Sequence, residues 1–232
     1  MVVDPARSGA LAPSTRLAVA AVVIMARYPS PGQVKTRLAR RIGGEAAAVL
    51  YRAFLQDMAT DLRSEAWDLV WAVTPPDADL RGVVGSAARQ IAQRGPALAE
   101  RMRNAYGDLF AAGYARVIMV GADAPHLGSQ AVAEALAALE TADVVLVPTR
   151  DGGYCLIALR APCDLFTGIA MGGSEVCAQT AARAAACGLR VRFLDETFDV
   201  DEWADVLALR SLLAASQGGL RHTRATLAAL LD

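Results

Sequence analysis

The sequence predicts a single-domain, Rossmann-like α/β fold with a mostly parallel sheet and helices on both faces. Short runs rich in Val, Ile and Leu alternate with stretches in which apolar residues recur every three or four positions, as buried strands alternate with amphipathic helices. The 232 residues are 54% hydrophobic and 20% charged, enough for one large domain with a sizeable core. Strands and helices in alternation form right-handed βαβ units, whose parallel strands are covered on both sides.

Continuous apolar runs predict the strands, because strands buried on both faces lack an alternating polar face. Five such runs cover residues 17–26, 69–73, 116–120, 143–147 and 190–194. A further apolar strand ending at Leu159 follows the turn Asp151-Gly152-Gly153. Helices are predicted where apolar residues keep helical spacing, in four sets: Leu50, Phe54, Met58 and Leu62; Leu98, Met102, Ala105 and Leu109; Val132, Leu136 and Leu139; and Val206, Leu209 and Leu213.

The chain divides into a leader, one domain and a short appendage. Residues 1–15 have turn-forming composition and no periodicity, so we expect a flexible leader. The domain is expected to cover residues 16–216, and a helical appendage residues 217–232. Apolar residues on the C-terminal helices would allow a homodimer.

Composition excludes several classes of protein. A net charge of −1 provides no basic field for nucleic acid. The longest apolar run has ten residues and no cleavage site of the signal-peptide kind after it, whereas a membrane-spanning helix needs about 20. Four cysteines without Cys-x-x-Cys spacing and two histidines are too few for a zinc or disulfide framework. We therefore expect a cytoplasmic protein with reduced thiols and no membrane span.

The loop after the first strand is a candidate anion site. It runs from Arg27 to Arg37 and packs three cations around Gly32. Of 23 basic residues 22 are arginine, so Lys35 is the only lysine. A phosphate could take a point charge from Lys35 and a bidentate contact from Arg37. The glycine spacing is not that of a Walker loop, and a solvated basic turn is the alternative.

Asp123 emerges at the carboxyl end of a buried strand, close after Gly121. Ligands of open α/β sheets bind at this edge, and a carboxylate facing a cationic loop suits a divalent ion that bridges protein and diphosphate. The alternative is that Asp123 caps the helix that begins near Pro125. His126 could be a ligand or a base, but a histidine at a helix start is more often structural.

A second pair of carboxylates, Asp199 and Asp201, precedes a C-terminal helix. Alternate residues of an extended segment lie on one side, so the pair could complete a metal site. Capping of that helix by Asp201 is an equal alternative. The paired glycines Gly152 and Gly153 allow a backbone to approach a ligand, although a tight turn is their simpler explanation.

These motifs together resemble the DUF2064 family of the nucleotide-diphospho-sugar transferase superfamily, whose fold is called GT-A and whose members are often named as glycosyltransferases of arsenosugar biosynthesis. The resemblance runs from about residue 17 to 213 through these segments: Pro31-Gly32-x-Val34-Lys35-Thr36-Arg37-Leu38, Gly121-Ala122-Asp123-x-Pro125-x-Leu127, Asp151-Gly152-Gly153-Tyr154-x-Leu156-Ile157 and Asp199-Val200-Asp201.

The resemblance implies roles for individual residues. Asp123 and Asp201 would bind a divalent metal, Mg or Mn. Lys35 and Arg37 would hold the phosphates of the nucleotide. Apart from the resemblance, we expect further contacts with the nucleotide or substrate from Arg27, Gly32, Thr36, Gly152, Gly153, Tyr154 and Ser174. Lys35, Asp123 and Asp151 are the catalytic candidates; Asp151, on a turn beside an expected acceptor pocket, would serve as a base for the acceptor if the mechanism inverts.

Two segments depart from the family pattern. Met171 replaces the aromatic residue that usually precedes the stretch Gly172-Gly173-Ser174, in which relatives carry Gly-Thr-Ser. Residues Pro96 to Ala99 stand where relatives tend to carry Gly-Asp-Leu-Gly, so Ala97 replaces an aspartate. Because this carboxylate is missing, the departure favours a protein that binds a nucleotide without catalysis.

The leading functional hypothesis is metal-dependent glycosyl transfer from a nucleotide-diphospho-sugar donor to a small-molecule acceptor. Nucleotidyl transfer, in which an acceptor phosphate attacks a nucleoside triphosphate and pyrophosphate leaves, is the alternative and uses the same residues. A non-catalytic nucleotide-binding module is a third possibility.

Overall fold

The computed structural model describes residues 19–216 and 218–231 and has the predicted α/β architecture. Seven strands form one sheet in the order β3-β2-β1-β4-β6-β5-β7. Their bounds are β1 Ala20–Arg27, β2 Asp68–Thr74, β3 Arg89–Ala92, β4 Arg116–Gly121, β5 Val144–Pro148, β6 Tyr154–Leu159 and β7 Val191–Phe193. All neighbouring strands are parallel except that β6 runs antiparallel to both β4 and β5. The mostly parallel sheet is therefore confirmed.

The described residues form eight α-helices: α1 Thr36–Ile42, α2 Gly44–Asp61, α3 Arg81–Val84, α4 Leu98–Ala111, α5 Gly128–Ala138, α6 Val176–Ala186, α7 Trp203–Ala215 and α8 Arg221–Leu231. Alternate residues of β1 belong to two separate cores: Val22 and Ile24 pack with α2, α5 and α7, while Ala21 and Val23 pack with α4 and α6. This period of two is what a central strand requires. Helices on both faces are confirmed.

The strand predictions differ from the structure in two places. The sequence did not predict β3, which has four residues. The run at 190–194 was predicted as a buried strand, but β7 has three residues and its Phe193 is 51% exposed. It lies at the edge of the sheet, where β5 is its one neighbouring strand among the described residues.

Helix α8 is anchored to α2 through its amino terminus. The buried Asp57 carboxylate accepts hydrogen bonds from the backbone N–H groups of His222 (2.8 Å) and Thr223 (2.7 Å). Asp61 accepts another from Leu220 at 3.2 Å. Residues of α2 thus supply the cap that the start of α8 lacks in its own sequence.

The predicted leader, residues 1–15, lies outside the described residues, and the proposed domain boundaries stay predictions. No helix within residues 19–216 and 218–231 combines the length and the apolar character needed to cross a membrane.

Candidate functional site

The candidate site lies where the carboxyl ends of β1 and β4 meet. These strands pair in parallel with Met25 opposite Gly121, so the loop that follows each one leaves the sheet at the same edge. A cavity of about 400 Å³ opens there, called the first cavity below. Its polar lining includes Arg27, Gln33, Lys35, Thr36, Arg37, Tyr51, Thr74, Gln93, Arg101, Asp123 and Asp201.

Lys35 lies at the centre of the site. Its ammonium contacts Asp123 Oδ1 and lies 3.1 Å from Asp201 Oδ1, and its side chain is only 2% exposed. The backbone of Lys35 is left-handed, with φ 46° and ψ 45°, a conformation that costs an ordinary residue roughly 1–2 kcal/mol. A residue with a strained backbone, whose charged side chain is held by two carboxylates, is typical of functional sites.

Two aromatic rings of α2 lie close to the Lys35 ammonium. Lys35 Nζ lies 5.7 Å from the ring centre of Tyr51 and 5.8 Å from that of Phe54, within cation–π range. The Tyr51 hydroxyl also accepts a hydrogen bond from the backbone N–H of Arg27 at 3.1 Å. Burial lowers the pKa of Lys35, but the charges of Asp123 and Asp201 outweigh burial and raise the pKa above its usual value. The lysine is therefore charged.

Neither carboxylate caps a helix. At the start of α7 the carboxylate that accepts backbone N–H groups is that of Asp205: its Oδ2 accepts those of Asp201 (3.1 Å) and Glu202 (2.7 Å). The Asp201 side chain instead contacts Lys35. The 3₁₀ helix Pro125–Leu127 begins without a side-chain cap. The backbone N–H of Val200 donates to the carbonyl of Asp123 at 2.9 Å, so the two carboxylate-bearing segments are held together.

Asp199 adds a third carboxyl group beside this pair. Its Oδ1 is buried without a hydrogen-bond partner among the described residues. Burial, with the negative charge of Asp123, raises the pKa of Asp199 to about 7.

A second cavity, of about 320 Å³, shares a wall with the first. Met25, Leu98, Asp123 and Asp201 line both cavities. The second cavity is further lined by Asp151 and Gly153 from the turn before β6 and by Tyr154, the first residue of that strand. Asp199, Met171 and the two glycines after Met171 also line it.

Four of the expected site residues have backbone roles or are already engaged. Asp151 Oδ1 accepts the Thr149 hydroxyl at 2.6 Å and the Gly153 N–H at 3.1 Å. A Cβ on Gly152, whose φ is +87°, would lie 1.8 Å from the carbonyl oxygen of Ser174. The backbones of Gly152 and Ser174 thus pack closely against each other, and neither residue lines the first or the second cavity. Gly32, whose φ is +72°, lets the backbone turn in the loop after β1 and lines neither of the two cavities.

Sequence reasoning missed Gln93. Its side-chain amide donates to the carbonyls of Ala26 (3.0 Å) and Ala72 (2.8 Å), and the residue is only 5% exposed at the wall of the first cavity. Gln93 therefore fixes the ends of β1 and β2, where the loop that carries Lys35 begins. A glutamine directly after a strand was the available signal, but that strand, β3, was not predicted.

The segment that departs from the family pattern lies at the start of α4. Ala97 occupies the N-cap position and lines neither cavity, and its backbone N–H donates to Glu100 Oε2 at 3.0 Å. Leu98, expected on the buried face of α4, is 48% exposed and forms part of the wall between the cavities.

His126 has a structural environment. Its Nε2 is 2.8 Å from the Thr197 hydroxyl, and its ring stacks on Phe198 with centroids 4.4 Å apart. Burial, together with the positive charge of Arg150, lowers the pKa of His126 to about 4. The ring lines neither cavity and is neutral at physiological pH.

Comparison with known proteins identifies the family. The model of a family described as "Uncharacterized protein conserved in bacteria (DUF2064)" matches residues 55–173, just over half of the chain. The chain belongs to the DUF2064 family. A solved structure from Desulfovibrio desulfuricans, which carries the provisional name nucleotide-diphospho-sugar transferase, is 34% identical with a TM-score of 0.84. The match covers 93% of this chain and 97% of that one.

Two curated relatives have names that state a reaction. A 3-phospho-D-glycerate guanylyltransferase from Phenylobacterium zucineum is 35% identical over 164 residues, which cover 67% of this chain and 72% of the relative. A phosphoenolpyruvate guanylyltransferase from Conexibacter woesei is 36% identical over 125 residues, which cover 51% of this chain and 55% of the relative. The family's named relatives are thus transferases, and their names agree with the nucleotidyl alternative better than with glycosyl transfer.

Proposed function

We propose that this DUF2064 protein is a nucleotidyltransferase, which joins the nucleoside monophosphate of a nucleoside triphosphate to the phosphate of a small acceptor. The observation that carries the proposal is the contact of Lys35 with Asp123 and Asp201 on the wall that two cavities share. A reaction between two substrates requires two adjoining spaces and charged groups at their junction.

The first cavity suits the nucleotide. Arg27, Lys35, Arg37 and Arg101 line it and provide four positive charges for a triphosphate. The names of the two curated relatives make GTP the first donor to test. In the reaction an acceptor phosphate oxygen attacks the α-phosphorus, the bond to the β-phosphate oxygen breaks, and pyrophosphate leaves with that electron pair.

A divalent ion fits the residues at the junction. Within residues 19–216 and 218–231 no group of three or more His, Cys, Asp or Glu side chains forms a complete metal site. Mg²⁺, however, commonly uses one or two carboxylates together with substrate phosphates, and Asp123 and Asp201 offer two, with side chains 45% and 41% exposed. These two residues would hold Mg²⁺ or Mn²⁺, which when bound neutralises charge on the phosphates.

The residues of the chain then have distinct tasks. Lys35 is released from its carboxylates towards the phosphates and stabilises the charge that develops on the leaving pyrophosphate. Gln93 and Tyr51 keep the loop at the end of β1 in place. An acceptor phosphate is already ionised, so Asp151 is not needed as a base in this reaction.

The test measures pyrophosphate release from each nucleoside triphosphate with Mg²⁺ or Mn²⁺ and a set of acceptor phosphates. Release that depends on both the acceptor and Asp123 supports the proposal, with Asp123→Asn as the test variant. Asp108→Asn is the matched control, because Asp108 pairs with Arg94 on the surface, away from both cavities.

Glycosyl transfer is the second candidate, and the name of the Desulfovibrio desulfuricans protein favours it. Consumption of a nucleotide-diphospho-sugar with release of nucleoside diphosphate, and no pyrophosphate from any triphosphate, would replace the proposal by this candidate.

A further inference from the structure

The lining of the second cavity has an unusual composition. Four of the six methionines of the chain line it: Met25, Met102, Met119 and Met171. Leu98, Ile157 and Val176 add further apolar surface. Methionine side chains are flexible and polarisable, and they pack against irregular apolar ligands.

The charge of the second cavity contrasts with that of the first. Among residues 19–216 and 218–231, no lysine, arginine or histidine lines it, whereas four cations line the first cavity. The ionisable acids in its wall are Asp151 and Asp199, in addition to the shared Asp123 and Asp201. The nearest ammonium, that of Lys35, is already paired with both shared carboxylates.

We propose that the second cavity binds the acceptor, and that the acceptor is the phosphate monoester of an uncharged, largely apolar alcohol with no second acid group. This inference rests on the proposed nucleotidyl transfer. The acceptor phosphate lies at the wall shared by the cavities, next to Asp123 and Asp201, and the organic body extends among the methionines.

Electrostatics exclude a second acid group on the organic body. A carboxylate placed in an apolar cavity without a cationic partner loses its hydration without compensation. Asp151 in the wall would add repulsion between like charges. Both curated relatives are named for acceptors that carry a carboxylate as well as a phosphate. The acceptor of this chain therefore differs in class from theirs.

Binding of acceptor analogues tests the inference separately from catalysis. Methyl, butyl and hexyl phosphate, 3-phosphoglycerate and phosphoenolpyruvate are titrated by calorimetry into the full chain with Mg²⁺ and a non-hydrolysable GTP analogue. We expect affinity to rise two- to fourfold for each added methylene, since a buried methylene contributes about 0.8 kcal/mol. Hexyl phosphate should bind at least tenfold more tightly than either phospho-acid. Equal or tighter binding of a phospho-acid, or no gain along the alkyl series, overturns the inference.

A charge introduced into the cavity provides the converse test. Met171 is half-buried on a loop, where it lines the cavity and packs against the margin of one core cluster. Met171→Arg adds a cation to the wall, and its melting temperature is measured alongside to show that the variant is folded. The variant should bind 3-phosphoglycerate about tenfold more tightly than the parent and hexyl phosphate more weakly. Met171→Gln, polar but uncharged, is the matched control and should not gain affinity for the phospho-acid. An unchanged preference in Met171→Arg overturns the assignment of this cavity to the acceptor.

A separate measurement shows which proposal has failed. Stabilisation of the chain by GTP with Mg²⁺, measured without an acceptor phosphate, concerns nucleotide binding alone. If GTP binds and pyrophosphate is released with a phospho-acid only, nucleotidyl transfer stands and the acceptor inference is wrong. If alkyl phosphates bind as expected and no triphosphate releases pyrophosphate, the proposed nucleotidyl reaction is wrong. The inference that the second cavity binds an apolar phosphate monoester then stands.

Discussion

Replacing Lys35 by Met removes the ammonium between Asp123 and Asp201 and keeps an unbranched side chain. We expect weaker binding of a nucleoside triphosphate, because a charge-assisted contact with phosphate contributes about 1.5–3 kcal/mol. This corresponds to a roughly ten- to hundredfold loss of affinity. Calorimetric titration with the same triphosphate and Mg²⁺ for parent and variant measures the loss.

The same change should destabilise the nucleotide-free protein only slightly. Two like charges about 5 Å apart at an effective dielectric constant of about 20 repel by about 3 kcal/mol. The side chains of Asp123 and Asp201 are 45% and 41% exposed, so solvent screens most of this repulsion. The new methionine also packs against the rings of Tyr51 and Phe54. The free energy of unfolding should therefore fall by about 1 kcal/mol, as measured by urea denaturation.

Addition of Mn²⁺ makes the test decisive. The ammonium and the divalent ion would use the same two carboxylates, so Mn²⁺ should stabilise Lys35→Met more than it stabilises the parent. Adding Asp201→Asn to the variant should abolish this extra stabilisation. Parent-like nucleotide affinity together with equal stabilisation by Mn²⁺ would show that Lys35 is a structural ion pair and refute the reasoning.

Three further predictions concern other parts of the chain. Asp57→Ala should lower the free energy of unfolding by about 3 kcal/mol, because two N–H groups of α8, one buried and one partly buried, lose their carboxylate acceptor; Asp61→Ala, which removes one longer contact, should cost less in the same denaturation experiment. Ala97→Ser should raise the free energy of unfolding by about 1 kcal/mol, because it completes a capping box with Glu100; Ala97→Val, which cannot accept a hydrogen bond, should give no gain. His126 has its pKa lowered to about 4 in the folded state against 6.5 in the unfolded state, so the unfolded chain binds the extra proton and stability should fall by about 2–3 kcal/mol as pH drops from 6.5 to 4. Subtracting the pH profile of His126→Gln isolates this contribution, and parallel profiles would contradict it.

The sequence predicts the central strands well because they are long and apolar. The runs at 69–73 and 116–120 lie within β2 and β4 of the structure. Strand β3 and helix α3 have four residues each, too few for a periodic pattern, and β3 begins with Arg89 and Gln90. Such short elements form because the neighbouring strand and helices hold them in place, which no local pattern records.

The site is only partly predictable for a related reason. Asp123 is recognisable because it closely follows a buried strand, Lys35 because it is the only lysine and lies close after a glycine turn, and Asp201 because it alternates with Asp199 ahead of a helix. From the sequence, Asp123 is expected opposite the cationic loop and beside Asp201. The direct ion pair of Lys35 with both carboxylates was not predicted, because a position in the sequence does not show which side chains touch. Tyr51 lies among the apolar residues of α2, where a tyrosine is indistinguishable from an ordinary core residue.

Lys35 is the only lysine of the chain, which gives chemical modification of this protein a single side-chain target. An amine-specific reagent would leave the arginine-rich surface untouched and could react at one internal position only. Since that amine is enclosed by two carboxylates and two aromatic rings, its rate of modification, followed by mass spectrometry of the peptide that contains it, reports how often the ammonium leaves its carboxylates. The composition of the chain thus supplies a built-in probe of motion at its own candidate active site.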